Sequence, residues 1–125
     1  MPILINGARG NQELYDQAGQ DLGAGPLAHI YLVPAGLTVS INNVTLAFDG
    51  NVTQTVTITM IYGPASAFNT TLGQYDMVIE DELVWFPVGT VRITGTGTSG
   101  ITVACTNAGA PAVNVSSTIN MEVLK

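Results

Sequence analysis

The only concentration of charge in this chain of 125 residues is an acidic cluster, formed by Asp76, Glu80, Asp81 and Glu82. Carboxylate oxygens are the ligands that Ca²⁺ takes in proteins, and a pair of carboxylates is the machinery of glycoside hydrolysis. The cluster lacks the D-x-D-x-D-G spacing of a calcium loop, and no aromatic groove for stacking sugars accompanies it. We therefore predict a solvated loop or a docking patch for basic neighbours.

The chain has one histidine and one cysteine, His29 and Cys105, whose side chains could act as metal ligands or in catalysis. His29 has no second metal ligand at a useful spacing, and no serine lies in a G-x-S-x-G elbow that it could serve. Cys105 follows Ile101 and Val103 at a spacing of two, which is typical of a buried strand residue. The sequence thus predicts no catalytic residue, no metal ligand, no cofactor and no enzymatic activity.

The charge balance excludes some partners. The net charge is −6, with only three basic residues, whereas nucleic-acid binding and docking to anionic membranes both need basic patches. No apolar run approaches the ~20 residues of a membrane span, and the start of the chain does not resemble a secretory signal. Charged residues make up 10% of the chain against about 25% in typical domains. Such a surface favours packing against neighbouring proteins.

Hydrophobic side chains recur at a spacing of two along most of the chain. Val56, Ile58 and Met60 alternate with threonines, and residues 113–123 alternate in the same way. This period places one set on a buried face and the other in water, as in half-buried antiparallel strands. Seven or eight such segments, separated by turns, predict an all-β antiparallel sandwich. The strand order is open between a jelly roll and an immunoglobulin-like fold, although the Cys–Trp–Cys mark of the latter is absent.

Three local features are predicted within these strands. Pro34 and Gly36 fit the second and fourth positions of a type I turn. The alternation changes phase between Ile41 and Val44, which indicates a bulge at residues 42–43. Residues 49–50, Asp-Gly, suggest a hairpin turn whose partner strand begins at Val52.

Residues 1–26 differ from the rest because glycines and polar side chains dominate them. We predict an extended N-terminal arm at 1–26 and a β-sandwich domain at 27–125. Apolar side chains within such an arm have no core of their own to enter, so they are expected to contact another chain. Trp85, at the end of a strand, is expected either to cap the core or to be a further contact residue. The predicted interface residues are Ile3, Leu4, Ile5, Leu14, Tyr15, Leu22 and Trp85.

Three short motifs resemble those of small virion proteins of tailed bacteriophages. The sequence Ile-Tyr-Leu-Val-Pro-Ala-Gly at 30–36 corresponds to the turn that opens their β-sandwich. Residues 89–93 correspond to a late strand that begins with glycine, and residues 119–123 to a terminal strand with an acidic residue. The resemblance covers roughly 27–123. It implies a structural role as a capsid cement (decoration) protein, a head fibre or a tail accessory, without catalytic residues.

These observations together predict a non-enzymatic structural protein located in a bacteriophage virion. Its expected partner is the major capsid protein or another virion protein, and it is expected to form homo-oligomers, with a trimer as one option. The alternative is a carbohydrate- or receptor-binding module of a tail or head fibre. An aromatic platform for a sugar would then come from Trp85, Tyr62, Tyr75 and Phe68.

Overall fold

The computed structural model describes residues 11–61, 69–106 and 113–124, and these form nine β-strands with no helix. The predicted antiparallel β-sandwich is confirmed. The strands are β1 (Asn11–Asp21), β2 (Leu27–Leu32), β3 (Thr38–Val52), β4 (Thr55–Ile61), β5 (Thr70–Asp76), β6 (Glu80–Trp85), β7 (Arg92–Thr94), β8 (Gly100–Cys105) and β9 (Asn114–Val123).

Two antiparallel sheets make up the sandwich. Sheet A has the order β1-β9-β3-β6, with the short β7 also paired to β3, and sheet B has the order β2-β8-β4-β5. Strands that are distant in sequence therefore lie side by side: β1 pairs with β9, and β2 pairs with β8. The chain is folded back on itself, so that strands of its first half pair antiparallel with strands of its second half: β1 with β9, β2 with β8 and β3 with β6.

This strand order decides between the two predicted topologies. In an immunoglobulin domain the first and second strands pair within one sheet, whereas here β1 and β2 lie in different sheets. Pairing of the first strand with the last, and of the second with the last but one, is the arrangement of a jelly roll. We therefore assign the chain to the jelly-roll class of β-sandwiches.

The core lies between the two sheets and is built from the alternating hydrophobic residues. Val56 and Ile58 are buried as predicted, while Met60 is half-buried near the end of β4. From the opposite sheet, Val44 and Leu46 of β3 are also fully buried. Removing such side chains from water is the main stabilising contribution to a sandwich of this kind.

The predicted boundary at residue 26 differs from the structure. Asn11–Asp21 is an edge strand of sheet A that pairs along β9, and Leu22 is completely buried in the core. The described part of the predicted arm therefore belongs to the sandwich. β1 was not predicted as a strand because its sequence is rich in polar residues and glycine, which an edge strand tolerates on its outward face. Residues 1–10 lie outside the described residues.

The local predictions have mixed outcomes. The register between β3 and β9 shifts between Ile41 and Asn43, which confirms the predicted bulge. Asp49 and Gly50 do not form a hairpin turn; they lie within β3, which then crosses to β4 in the other sheet. The Pro-Ala-Gly turn is displaced by one residue. The amide of Leu37 donates to the carbonyl of Pro34 at 3.1 Å, and Gly36 has a φ of 91°, as the third position of a type II turn requires.

Candidate interaction surfaces

The predicted interface residues near the N-terminus have different positions. Leu14 is 65% exposed on β1, as an intermolecular contact residue requires. Leu22 is fully buried, so its prediction as an interface residue is wrong: it belongs to the intramolecular core. The predicted residues Ile3, Leu4 and Ile5 lie outside the described residues. Tyr15 is only partly available, because one face of its ring is covered.

Tyr15 closes the side of the sandwich over a buried histidine. Its ring stacks on His29 with centroids 5.1 Å apart, and it also contacts Tyr31 with centroids 4.8 Å apart. His29 is 1% exposed, and neither ring nitrogen has a hydrogen-bond partner among the described residues. Burial lowers the pKa of His29 below its ordinary value, and the charge of Asp16 partly opposes this effect. His29 is therefore a neutral core residue at neutral pH.

Trp85 is turned inward rather than toward a partner. It is half-buried against the core, and its indole ring lies over the backbone of Gly73 in β5. A Cβ atom at position 73 would lie 2.5 Å from Nε1 of Trp85, so only glycine permits this contact. Trp85 thus joins the edges of the two sheets, and its main role in this structure is packing. Of the two predicted alternatives, the packing of Trp85 against the core is confirmed, and its role at an interface stays a prediction.

The neighbours of Trp85 on β6 form an exposed apolar ridge. We define the β6 ridge as Val84, Phe86 and Val88, which are 44%, 64% and 103% exposed. Val84 lies on the outward face of β6, whereas Phe86 and Val88 lie in the irregular segment that follows the end of the strand at Trp85. β6 pairs only with β3 among the described strands, and its other edge has no described strand beside it.

The loop that leads into β6 adds two further exposed hydrophobic residues. Val78 is 70% exposed and Ile79 is 68% exposed. Ile79 also has a φ of 53°, a left-handed conformation that is rare for a β-branched residue. Backbone strain of this kind concentrates where a protein makes functional contacts. Exposed apolar residues therefore lie at both ends of β6.

The acidic cluster lies beside this ridge but does not converge on a point. Asp76 accepts a hydrogen bond of 2.8 Å from Thr55 Oγ1. Glu80 accepts from Tyr75 Oη at 3.2 Å and from the amide of Val78 at 2.9 Å, and the Glu80 contact raises the pKa of Tyr75. Within the described residues no three acidic, histidine or cysteine side chains are grouped to hold a metal ion. The predicted solvated loop is wrong, because Asp76 ends β5 and the other three acidic residues begin β6; the docking patch stays a prediction.

The two sheets present very different outer faces. On sheet A, the outward side chains include the charged Asp16, Asp49, Glu82, Arg92 and Glu122, together with asparagines, serines and threonines. On sheet B, Thr55 and Asp76 form one outward row that carries a carboxylate, and three further outward rows across the strands have no charged residue. They are Ala28, Ala104, Thr57 and Gln74, then Ile30, Thr102, Thr59 and Thr71, then Leu32, Gly100 and Ile61. We call these three rows the sheet B face.

Cys105 is buried between the sheets, as the sequence predicted. It is a free cysteine, 1% exposed, and burial raises its pKa to about 11. The thiolate is the nucleophilic form of cysteine, so this thiol is unreactive at neutral pH. Cys105 is a small hydrophobic residue of the core, and it pairs with Leu27 of β2 and Val56 of β4.

Sequence reasoning missed both the β6 ridge and the sheet B face. The ridge had a detectable signal, since Val84, Phe86 and Val88 alternate with inward residues. That alternation alone does not reveal which set faces water. The sheet B face required knowledge of which strands are neighbours, because its residues come from four separate segments of the chain.

Comparisons with known proteins do not assign the chain to a family. No family model matches it, and no curated protein matches it. Within the residues that the structure describes, no helix has the length and apolar character needed to cross a membrane. The functional inference therefore depends on the surfaces described above and on the sequence motifs at residues 30–36, 89–93 and 119–123.

Proposed function

We propose that this chain is a non-enzymatic structural protein of a bacteriophage virion, most specifically a capsid cement (decoration) protein that binds the major capsid protein. The observation that carries the proposal is the β6 ridge, a set of exposed apolar residues on an edge strand and just beyond its end. The resemblance of residues 27–123 to small virion proteins supplies the virion assignment. The jelly roll is a fold used by viral capsid proteins and by lectins, which supports a structural role by analogy of fold.

The β6 edge is suited to a partner that adds an extended segment. An edge strand offers unpaired backbone groups, and a segment of another protein can extend the sheet through them. Phe86 and Val88 beside that edge offer apolar contacts, each contributing about 1.5–3 kcal/mol if fully buried. Backbone hydrogen bonds would provide affinity, and the ridge would fix the register of the added segment.

The charge near this edge indicates the chemistry of the partner. Glu80, Asp81 and Glu82 lie at the start of β6, and the whole chain carries a net charge of −6. A second copy of the same chain would place like charges opposite one another, which costs binding free energy. An extended segment with lysine or arginine beside apolar residues complements the edge. We therefore propose that the capsid partner presents a basic, extended segment here.

The test uses purified virions that contain this chain. Quantitative mass spectrometry of the particles should find it in a fixed ratio to the major capsid protein. Particles lacking the chain should then bind the purified wild-type protein and fail to bind the double variant Val84→Ser, Phe86→Ser. Ile30→Ser is the matched control, because it removes an exposed apolar side chain from the outer face of sheet B, away from β6. Equal binding by both variants would exclude the β6 edge, and absence from the particles would exclude the virion role.

One observation favours the second candidate, a carbohydrate-binding module. Tyr75 is 42% exposed and its hydroxyl contacts Glu80, which places an aromatic ring beside a carboxylate as sugar sites often do. Trp85 is packed inward, and Tyr62 and Phe68 lie outside the described residues. Binding to a glycan array that is lost in Tyr75→Ala would favour this function over capsid binding.

A further inference from the structure

His29 is buried with no hydrogen bond. Its side chain is 1% exposed, and within the described part of the chain neither Nδ1 nor Nε2 has a hydrogen-bond partner. A protonated imidazole carries a positive charge and two N–H donors, and burying such a group without partners is strongly unfavourable. The folded position of His29 therefore accepts the neutral ring and disfavours the charged one.

The ring of Tyr15 separates His29 from water. It stacks on the imidazole with centroids 5.1 Å apart and planes inclined by 19°, and Tyr15 itself is 40% exposed. His29 lies on β2, an edge strand of sheet B, and on its other side it pairs with Val103 of β8. Water can therefore reach a charged imidazole most directly where Tyr15 now lies, once that ring has moved away.

The strand that carries Tyr15 is divided by a bulge. The register between β1 and β9 shifts between Gln17 and Gln20, and Gly19 has a left-handed φ of 73°, which glycine adopts without strain. After the bulge the chain is firmly anchored, because Leu22 is fully buried and its amide donates to the carbonyl of Val113 at 2.9 Å. The strand can thus open at the bulge while Leu22 stays in the core.

Before the bulge, residues 11–17 are attached along one side only, and we call them the β1 strap. They pair with β9, and no other described strand pairs with them. They are also held by the ring contacts of Tyr15 and by a hydrogen bond of 2.7 Å from Thr118 Oγ1 to Asp16. The described side chains of the strap, at positions 14–16, are all exposed. Edge segments with so little buried surface open at a lower free energy than the core.

The titratable groups of the surrounding strands do not remove the cost of charging His29. The other titratable residues of β1, β2, β8 and β9 are Glu13, Tyr15, Asp16, Asp21, Tyr31, Cys105 and Glu122. Burial lowers the pKa of His29, and the charge of Asp16 opposes that effect only in part. Once released, the ring regains its ordinary pKa of about 6.5, so the released state binds the proton more readily. Its population should therefore rise as the pH falls below about 6.5.

We infer that the β1 strap is an acid-released element: when His29 binds a proton, Tyr15 leaves the imidazole and residues 11–17 detach from β9. The strap opens at the bulge, so Leu22 and the rest of the sandwich stay in place. Release exposes the edge of β9, and unpaired backbone groups at a sheet edge can pair with a strand of another chain. The inference is independent of the proposed capsid role.

The test is hydrogen exchange of the full chain, followed by mass spectrometry. Protection factors, which correct for the intrinsic pH dependence of exchange, should fall several-fold for residues 11–17 between pH values of about 7.5 and about 5.5. The limit is about tenfold, because the lower pH is about one unit below the ordinary pKa of histidine. Protection of residues 38–48 in β3 should not change. Trp85 lies at the opposite side of the sandwich, so its fluorescence should stay constant.

Two uncharged replacements test the role of the imidazole. His29→Phe keeps an aromatic ring for Tyr15 to stack on, and His29→Gln keeps a polar side chain, but neither binds a proton in this pH range. Protection of the strap should then be the same at both pH values. Glu13→Gln and Asp16→Asn are the matched controls, because each removes a carboxylate of the strap and keeps His29. Both controls should still lose protection at the lower pH. Circular dichroism at neutral pH establishes that each variant is folded.

Four outcomes overturn the inference. Unchanged protection of residues 11–17 in the wild type excludes acid release. An equal loss in residues 38–48, with the emission of Trp85 shifted, shows that the whole sandwich unfolds. A loss that persists in both His29 variants assigns the effect to another group. A loss that disappears in one of the controls identifies that carboxylate as the trigger. The first two outcomes come from the wild type and do not depend on the folding of any variant.

Discussion

Tyr15 lies flat against His29, with ring centroids 5.1 Å apart and ring planes inclined by 19°. The contact joins β1, at the edge of sheet A, to β2, at the edge of sheet B. It closes one side of the sandwich with two aromatic rings. It also leaves a titratable side chain buried without a hydrogen-bond partner among the described residues.

The first prediction concerns pH. Because burial lowers the pKa of His29 in the folded chain, the unfolded chain binds a proton more readily. The free energy of unfolding should therefore be unaffected above the ordinary pKa of about 6.5 and should fall as the pH drops below it. His29→Phe should lose this part of the pH dependence. Urea unfolding at a series of pH values from neutral to mildly acidic measures the free energy of unfolding of both proteins. If the variant loses as much stability with falling pH as the wild type, other groups are responsible.

The second prediction concerns the core. Ile58 is 2% exposed on β4, and Thr57 beside it is half-buried on the outer face. Ile58→Ala should lower the free energy of unfolding by about 2–5 kcal/mol, since it leaves a cavity. Thr57→Ala should cost far less. Chemical denaturation measures both, and similar losses would mean that the two faces of β4 are buried alike.

The third prediction concerns the contact of Trp85 with Gly73. Gly73→Ala should displace the indole ring and lower the free energy of unfolding by about 1–3 kcal/mol, as overpacking does. Trp85 is the single tryptophan, so its fluorescence reports the change directly, with emission shifted to longer wavelength. Gly50→Ala is the control, because its Cβ would make only an ordinary contact of 3.6 Å with Val113. Identical emission from both variants would argue against the contact.

The fourth prediction separates two parts of the N-terminal segment. Deleting residues 1–25 removes β1 and Leu22, which exposes the edge of β9 and opens the core. That protein should be strongly destabilised or unfolded. Deleting residues 1–10 keeps β1 and Leu22, so it should lower the melting temperature much less than the longer deletion does. Thermal unfolding of the two truncated proteins distinguishes them. A stable fold without residues 1–25 would show that β1 is dispensable.

The elements that the sequence predicted correctly depend on local physics. Alternation along 55–60 predicts a strand with one buried face, because successive side chains point to opposite sides. The phase change between Ile41 and Val44 predicted a bulge for the same reason. β1 was missed because its stability comes from pairing with β9, about a hundred residues away, and not from its own composition.

The sequence by itself determined the fold class, the acidic and weakly charged composition, and the alternation that turns Val56, Ile58, Ile119 and Met121 toward the core. Only the tertiary structure decided the strand order, the burial of Leu22, the inward position of Trp85 and the outward position of Phe86. It also assembled the sheet B face from four distant segments. Alternation divides the residues of one strand into two sets that point to opposite faces of the sheet. Which neighbours each set meets depends on long-range pairing, and that pairing leaves no local mark in the sequence.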